Sequence, residues 1–256
     1  MIKVKSKKEL EIMAQGGAIL AGVLKKVLEQ AKPGILELEL DALAERLILE
    51  KGAEPAFKKV KEYHHATCIS TNDAVVHGVP SGYVLKEGDV VGVDCGVYYK
   101  GLYTDMAETV QVKSSKLKVQ SDGVDVFLET GERALEEAIK AAMVGNRIGH
   151  ISKAIQDIIE QTGYSVVRSL VGHGVGKELH EEPEIPGFLD DTDISDTPIL
   201  KEGMTLAIEV IYNMGKNGVI HSSKDGWTIK TEDGSISATF EKTIAVTGVG
   251  PVILTV

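Results

Sequence analysis

The sequence predicts a single α/β (α+β) domain, residues 1–256, built from two similar halves. Helices followed by Val- and Thr-rich strands occur twice in the same order, and a short motif repeats between the halves. In addition, no Pro- or Ser-rich linker and no low-complexity stretch divides the chain. With 43% hydrophobic and 26% charged residues, a chain of 256 residues can bury a core of ordinary size.

The first half opens with two predicted helices. Apolar residues recur at helical spacing over residues 6–31, and Pro33-Gly34 ends that helix. The second helix ends at Gly52. Three strands follow, since β-branched residues favour a pleated surface. They are predicted at residues 66–70, 89–97 and 103–112.

The second half repeats this order. Helices are predicted over residues 124–143 and 148–161, and Gly163 ends the second of them. Strands are predicted at residues 164–169, 205–212, 227–230 and 237–246. Asp233-Gly234 predicts a tight hairpin between the last two strands.

Charge and cysteine content exclude several classes of protein. The net charge of −10 disfavours nucleic-acid binding, which needs a basic surface to displace counterions. No apolar run approaches the ~18 residues of a membrane span, and the N-terminus lacks the apolar block of a secretory signal. Cys68 and Cys95 are too few for a disulfide framework, so we expect reduced thiols and a cytoplasmic location.

An internal repeat links the two halves. Residues 85–94 read LKEGDVVGVD and residues 200–209 read LKEGMTLAIE, so LKEG precedes an apolar strand that closes on a carboxylate in both. A His-Gly-Val triplet lies upstream of each segment, beginning at His77 and at His173. Duplication for folding alone is one explanation. If the halves instead pack about a pseudo-two-fold axis, equivalent acids and histidines converge near it, which is the composition of a metal site.

Four acids stand among apolar residues of predicted strands, where an unpaired charge is unfavourable. Asp94 and Asp105 would lie side by side in a strand-turn-strand unit, where two carboxylates repel unless a cation lies between them. The alternative for Asp94 is a strand-end acid that reaches solvent or a backbone N–H. Glu209 and Glu241 also lie within strands. An ion pair of Glu241 with Lys242 is disfavoured because adjacent strand residues face opposite sides.

Three histidines have a comparable setting. His173 lies in GHGVG, where glycines allow a sharp bend and the close approach of a ligand. The pattern lacks the spacing of a dinucleotide-binding loop. His77 lies in VVHGVP and His180 in ELHEEP. The alternatives are a histidine in a glycine turn for His173 and a surface histidine in an acidic loop for His180.

These residues form a candidate ligand set of four carboxylates and one imidazole. Its members are Asp94, Asp105, His173, Glu209 and Glu241. Two divalent cations would neutralise the four carboxylates, and carboxylates can bridge two metals about 3.5–4 Å apart. Oxygen and imidazole donors without a thiolate suit cobalt, manganese, iron(II) or zinc.

The sequence around these residues resembles the type I methionine aminopeptidases. The similarity extends from about residue 7 to residue 247 and rests on several motifs together. These motifs are CISTNDAVVHGVP (residues 68–80), GVDCG, TDMAET, GHGVGKELHEEP, AIEV, DGWT and ATFEKTIAVT. The resemblance implies the pita-bread fold, in which two pseudo-symmetric halves form a curved antiparallel sheet covered by helices. It also implies that no further N-terminal domain is present.

The resemblance assigns roles to individual residues. The five candidate ligands match, in order, the two-metal site of the family. Of the implied catalytic residues, Glu209 would shuttle a proton, His77 would contact the scissile amide and His180 would hold the carbonyl oxygen. The methionine side chain would be bound, beside these two histidines, by Tyr63, Cys68 and Trp227.

The implied reaction is hydrolysis of the initiator methionine from nascent polypeptides by a metal-bridging hydroxide, with preference for a small second residue. The expected partner is the N-terminal methionine of such peptides; association with the ribosome is left open, and a monomer is expected. Two alternatives remain. A proline-specific peptidase of the same fold usually carries a further N-terminal domain, and a non-catalytic binding protein of this fold would have lost ligands. A type II enzyme would need an insertion for which the interval between His180 and Glu209 is too short.

The sequence departs from the family pattern at four places, none of which is a candidate ligand. Residues 63–67 replace a Gly-aromatic-Pro pattern, and Leu179 replaces a common aromatic residue. Val210 replaces a usual proline, and residues 187–198 form a longer stretch than is typical. We expect these departures to change the shape of the pocket and the conformation of nearby loops.

Overall fold

Two α/β halves follow one another along the chain, as predicted. A computed structural model describes residues 2–113 and 123–256. The described chain contains four α-helices, two in each half: Lys7–Leu28 (α1), Glu37–Glu50 (α2), Val124–Ala141 (α3) and Ile148–Gln161 (α4). In these two stretches, no helix is long and apolar enough to cross a lipid bilayer.

The start of α1 is set by a capping box. The Ser6 hydroxyl accepts the Glu9 N–H at 3.4 Å, while the Glu9 carboxylate accepts the Ser6 N–H at 2.8 Å. Two otherwise unpaired donors of the first turn are thereby satisfied. The helix ends at Leu28, three residues before the predicted end at residue 31, because the last residues form three-residue turns instead (Ala31 N–H to Leu28 O, 3.0 Å).

The described part of the first half, up to residue 113, contains five strands: Glu54–Pro55 (β1), Thr67–Thr71 (β2), Ala74–Val76 (β3), Val90–Tyr99 (β4) and Leu102–Gln111 (β5). Strand β4 is central, with β1 and β2 along one edge and β5 along the other, all antiparallel. Strand β4 extends to Tyr99, two residues beyond the predicted end at residue 97. Asp94 lies inside this strand, so the alternative of a strand-end acid is not supported.

Eight strands belong to the second half: Ser165–Val166 (β6), Val171–Gly174 (β7), Glu181–Pro186 (β8), Thr205–Asn213 (β9), Val219–His221 (β10), Ile229–Thr231 (β11), Ser237–Thr247 (β12) and Gly250–Ile253 (β13). The main sheet has the order β13-β12-β9-β7-β8, with β6 also paired to β9. A small sheet of order β10-β11-β3 joins the two halves, since β3 comes from the first.

The predicted hairpin at Asp233-Gly234 is wrong in its pairing. The turn is present, with Gly234 at φ 73°, but β11 pairs with β10 and β3 whereas β12 pairs with β9 and β13. The Asp233 carboxylate accepts the N–H groups of Lys216 and Ser235, at 2.8 and 3.0 Å. These bonds stabilise the turn, which connects β11 of the small sheet to β12 of the main sheet.

Each half has its own apolar core between its helices and its sheet. In the first half, α1 packs on β4 and β5 and α2 packs on β2. Large members of this core are Leu20, Leu24, Leu40, Ile48 and Val93. In the second half, α3 packs on β9 and β12. Large members of this core are Phe127, Ile151, Ile155, Tyr212 and Phe240.

Threonine hydroxyls join the halves where β5 runs beside β12. The Thr109 hydroxyl donates to Thr239 O (2.8 Å) and accepts the Thr239 N–H (3.0 Å). The Thr243 hydroxyl accepts the Asp105 N–H (2.9 Å) and donates to Asp105 O (2.7 Å). A hydroxyl can both donate and accept a hydrogen bond. Each threonine hydroxyl therefore pairs with a buried backbone N–H and a buried backbone carbonyl between the two strands. These bonds fix Asp105 of one half against the strand that carries Glu241.

Candidate metal centre and side-chain pocket

A cavity of about 630 Å³ is lined by residues of both halves. It brings together all ten residues that the sequence singled out, and none of the ten lies elsewhere. These residues are Tyr63, Cys68, His77, Asp94, Asp105, His173, His180, Glu209, Trp227 and Glu241. The cavity has a carboxylate-rich end and an apolar side, and each is positioned by different elements.

Strand register places the four acids. Glu209 on β9 lies directly opposite Glu241 on β12. On the other side, Asp105 of β5 lies opposite Gly96 of β4, two residues beyond Asp94, so the two aspartates are diagonal neighbours on one face. A Cβ at Gly96 would lie 3.3 Å from the Asp105 carboxylate and 2.8 Å from Cβ of a neighbouring alanine. The missing side chain therefore leaves room for Asp105 to turn inward.

His173 lies on β7 and not in a glycine turn. A Cβ at Gly172 would lie 2.6 Å from Ala207 O, and one at Gly174 would lie 2.3 Å from a backbone carbonyl of β8. These glycines are thus needed for the close approach of neighbouring strands, not for a bend as the sequence suggested. His173 Nδ1 lies 2.8 Å from Gly174 O, and Nε2 lies 3.5 Å from the Glu209 carboxylate. A proton on Nδ1 leaves Nε2 as a free donor of a lone pair.

The carboxylate-rich end has the properties of a cation-binding site. One ligand atom each from Asp105, His173 and Glu241 lie within 4.8 Å of one another. Asp94 Oδ1 and Glu241 Oε1 are buried and have no hydrogen-bond partner within the described chain. Burial raises the pKa of Asp94 to about 7. Burial and mutual repulsion also raise the pKa of Asp105 and Glu241 well above ordinary values. Divalent cations would accept lone pairs from the unpaired oxygens and would remove the repulsion between the carboxylates. This set of oxygen and imidazole donors therefore fits such cations.

The three cavity histidines are neutral near pH 7. Burial lowers the pKa of His173 to about 4, and it also lowers the pKa of His77 and His180. The rings of His173 and His180 meet edge to face with centroids 4.3 Å apart. A neutral imidazole can bind a cation or exchange hydrogen bonds with an amide, and both uses are open here.

His77 is held by an unusual backbone conformation, with a positive φ of 54°. The next residue, Gly78, accepts the Ile69 N–H at 2.7 Å through its carbonyl. A Cβ at Gly78 would lie 2.0 Å from Ile69 O, so only glycine fits. This close contact with β2 determines where the chain leaves β3 and places His77 at the cavity.

The apolar side of the cavity is a small aromatic cluster. The rings of Tyr63 and Trp227 meet edge to face at 5.2 Å, and Leu179 and Cys68 belong to the same cluster. The Tyr63 hydroxyl donates to Thr67 O at 2.8 Å, which leaves the ring to face the cavity. Burial raises the pKa of the Cys68 thiol, so this wall carries no charge at neutral pH.

Several lining residues were not predicted. Phe57, Val60, Leu170 and Ile211 add apolar surface to the cavity. In the sequence these four residues are marked only by their hydrophobicity. Core residues are equally hydrophobic, so the two groups cannot be told apart from the sequence. Glu182 and Glu184 also line it and add acidic groups.

Comparisons with known proteins agree with this geometry. Residues 11–248 match the model of metallopeptidase family M24. A methionine aminopeptidase of Clostridium perfringens is 41% identical over 255 residues, which cover 100% of this chain and 99% of the relative. The crystal structure of a methionine aminopeptidase from Thermotoga maritima superposes with a TM-score of 0.92 at 40% identity, covering 100% of this chain and 99% of that one.

A more distant likeness concerns the fold alone. A prolidase from Pyrococcus horikoshii matches with a TM-score of 0.77 at 26% identity. The match covers 99% of this chain but 63% of the prolidase. The fold is the pita-bread fold that the sequence motifs implied. Given the whole-length matches and the cavity of acids and histidines, this chain belongs to metallopeptidase family M24.

Proposed function

We propose that this chain is a metal-dependent aminopeptidase that removes the N-terminal methionine from peptides. The observation that carries the proposal is the joining, in one cavity, of an acid-histidine cluster with an uncharged aromatic wall. Full-length relatives at about 40% identity bear the name methionine aminopeptidase. The acidic end suits a cation and an amino group, while the wall suits an unbranched apolar side chain.

The metals in this proposal are two divalent cations, cobalt, manganese, iron(II) or zinc. The residues that would hold them are Asp94, Asp105, His173, Glu209 and Glu241. When bound, such ions lower the pKa of water and stabilise negative charge on a substrate oxygen. Strands from both halves carry the five donors, so the ions would also link the halves.

Protein groups around the centre would bind and orient the peptide. Glu209 lines the cavity beside His173 and would carry a proton from the attacking water to the leaving amine. His180 would hold the scissile carbonyl oxygen and His77 the amide nitrogen, roles that neutral imidazoles can fill. The free α-amine of the substrate would bind at this centre, which favours cleavage at a chain end over cleavage inside a chain.

The aromatic wall would determine the residue removed. Tyr63 and Trp227 line the cavity with aromatic rings, and a thioether sulfur gains about 0.3–1.5 kcal/mol from a contact with such a ring. Cys68 and Leu179 complete a soft apolar surface. A charged or β-branched first residue would leave the wall unfilled or clash with it. The preference for a small second residue remains a prediction.

The two alternatives are not favoured. The match to the prolidase from Pyrococcus horikoshii covers 63% of that protein, whereas the matches to the two methionine aminopeptidases each cover 99% of the relative. A non-catalytic protein of this fold would lack donors, and all five line the cavity. Action on nascent chains, a monomeric state and a cytoplasmic location are further parts of the proposal.

The test is release of free methionine from Met-Ala-Ser by chelator-stripped protein, with and without added Mn²⁺ or Co²⁺. We expect metal-dependent release, a much lower rate with Met-Leu-Ser and no cleavage of Ala-Pro-Ala. Cleavage of Ala-Pro-Ala instead would favour the proline-specific alternative. No cleavage of any peptide with either metal would contradict the proposal. A Glu209→Gln variant, which keeps the shape of the side chain, serves as the inactive control.

A further inference from the structure

A buried ion pair lies directly behind the loop that carries His180. Lys5 Nζ and Glu181 Oε2 are 2.6 Å apart, and each side chain is 3% exposed. Lys5 belongs to the segment before α1, and Glu181 is the first residue of β8, immediately after His180. Burying two charges loses much of their hydration, so such a pair is weak as a source of stability. We therefore ask which part of the site this ion pair holds in place.

Lys5 is held on both sides. Its backbone N–H donates to Gly203 O at 2.7 Å, and the next residue is Ser6, the cap of α1. Its side chain lies against Gly176, where a Cβ would come within 2.1 Å of Lys5 Cε. These contacts hold the Lys5 side chain in place with its ammonium group at Glu181. Because Gly176 is packed against this side chain, its backbone cannot move closer to Lys5.

Glu181 uses its second oxygen to close the loop. Oε1 accepts the N–H groups of Lys177 and Glu178, at 2.8 and 3.2 Å. Burial alone would raise the pKa of Glu181, but the bond to Lys5 and the two amides outweigh it and leave the pKa below its ordinary value. The carboxylate is therefore charged at neutral pH and ties the start of the 177–181 loop to its end.

We propose that Lys5 and Glu181 are positioning residues that fix the 177–181 loop, and with it His180, against the metal centre. The inference rests on the proposed function, since it assigns His180 to the substrate carbonyl. His180 stands next to Glu181 and its ring meets that of His173 at 4.3 Å. Leu179, on the aromatic wall, belongs to the same loop.

The consequence is specific to the chemical step. The five candidate ligands lie on strands, not on this loop, so release of the loop leaves the metal centre intact. A displaced His180 would contact the carbonyl oxygen poorly as charge develops on it. A displacement of about 1 Å can lower a rate by about 100-fold. The effect should fall on kcat more than on KM.

The experiment compares Lys5→Met, Glu181→Gln and the control Lys3→Met in the metal-loaded protein. Lys3 also approaches Glu181, at 3.8 Å, but its side chain is 53% exposed. With Met-Ala-Ser we expect kcat to fall about 10- to 100-fold in Lys5→Met and Glu181→Gln, with bound metal unchanged. Lys3→Met should stay within about two-fold of wild type because exposed pairs contribute little.

A double-mutant cycle with His180→Ala separates positioning from general damage. If Lys5 acts through His180, adding Lys5→Met to His180→Ala should change kcat by less than about two-fold. The same loss in both backgrounds, or loss of metal from Lys5→Met, would overturn the inference. If Lys5→Met does not fold, the same double-mutant cycle is measured with Glu181→Gln and His180→Ala. The glutamine keeps an oxygen that can accept the loop N–H groups. Inactive wild-type protein would instead contradict the proposed function.

Discussion

The two His-Gly-Val triplets hold equivalent places in the sequence but different places in the fold. His173 lies within the main sheet, with Nδ1 beside the Gly174 carbonyl and Nε2 facing Glu209. His77 follows a strand of the small sheet and has a positive φ. Gly78 and Gly174 nevertheless share one property, since a Cβ on either would clash with a backbone carbonyl. The repeat thus preserves a steric requirement, while its two histidines face different parts of one cavity.

The acids of the two halves differ in a parallel way. The glutamates of β9 and β12 are directly opposite, whereas the aspartates of β4 and β5 are diagonal across a glycine. Among the described residues, each half nonetheless leaves one buried carboxylate oxygen without a hydrogen bond, Asp94 Oδ1 in the first and Glu241 Oε1 in the second. The charge that requires a cation is therefore divided between the halves. Substitutions in one half at a time can therefore show how equal the two contributions are.

The largest effect is expected from His173→Ala. It removes the imidazole whose Nε2 faces the carboxylates. We expect bound metal to be lost on dialysis and methionine release to fall by about 1,000-fold or more. Metal content by atomic emission and rates with Met-Ala-Ser measure both quantities. A variant that keeps its metal and its activity would show that His173 is no ligand.

His77→Ala tests the other triplet. Because His77 is proposed to contact the amide and not the metal, we expect kcat to fall about 100-fold while metal content stays at the wild-type level. The same dialysis and rate measurements apply. If both histidine variants lost metal equally, both histidines would be metal ligands, which would contradict the different roles proposed for the two triplets.

Patterns local to the chain predicted the four helices and the acids and histidines of the cavity, whereas Tyr63, Cys68 and Trp227 were assigned through the family resemblance. Helical spacing and strand-bound acids can be identified without tertiary contacts. Short strands such as β1 and β3 were missed because two or three residues pair only when a neighbouring strand is already in place. The β7 strand was not predicted, and a glycine turn was left as one alternative for His173, because the glycines of β7 serve contacts between strands that sequence does not reveal.

Buried charges were the other group that sequence could not identify. Lys5 lies among lysines in MIKVKSKKEL and has the pattern of a solvated residue. Asp41 lies in a helix rich in acids, and nothing in ELELDALAE separates it from its exposed neighbours. Their partners, Glu181 and residues 65–67, are distant along the chain. Only the fold decides which of many similar charges becomes buried.

Removal of metal should reverse the usual dependence of stability on pH. In the metal-free protein, the pKa of Asp94 is raised to about 7, from an ordinary value near 3.8. The folded state then holds a proton that the unfolded state releases, so stability is present below about pH 4 and is lost as pH rises through 7. The loss from Asp94 is on the order of 4 kcal/mol, and bound cations should abolish it.

Thermal unfolding of chelated and Mn²⁺-loaded protein between pH 5 and 8 measures this effect. Asp94→Asn and Glu241→Gln should each flatten the curve of the chelated protein, because each removes one buried acid from one half. Stability that stays constant or rises over this range in chelator would contradict a pH dependence caused by these buried acids. Flattening by one variant only would mean that one half supplies most of it.

The smallest effect is expected from Asp41→Ala, which tests the wall of the first half. Asp41 Oδ1 accepts the N–H groups of Ala66 and Thr67, both at 2.9 Å, and Oδ2 lies 3.0 Å from His65 Nδ1. This carboxylate holds the 63–67 segment as Glu181 holds the 177–181 loop. Without it, Tyr63 should pack less firmly against the methionine side chain.

We expect Asp41→Ala to raise KM for Met-Ala-Ser by about three- to ten-fold, equivalent to about 1 kcal/mol of binding, with little change in kcat. Glu45→Ala is the matched control, because Glu45 lies on the same helix and forms an ion pair with Lys58 that is partly exposed. Asp41 and Lys5 would then act on different steps, binding in one half and chemistry in the other. A fall in kcat for Asp41→Ala as large as that for Lys5→Met would instead mean that both walls serve the same step.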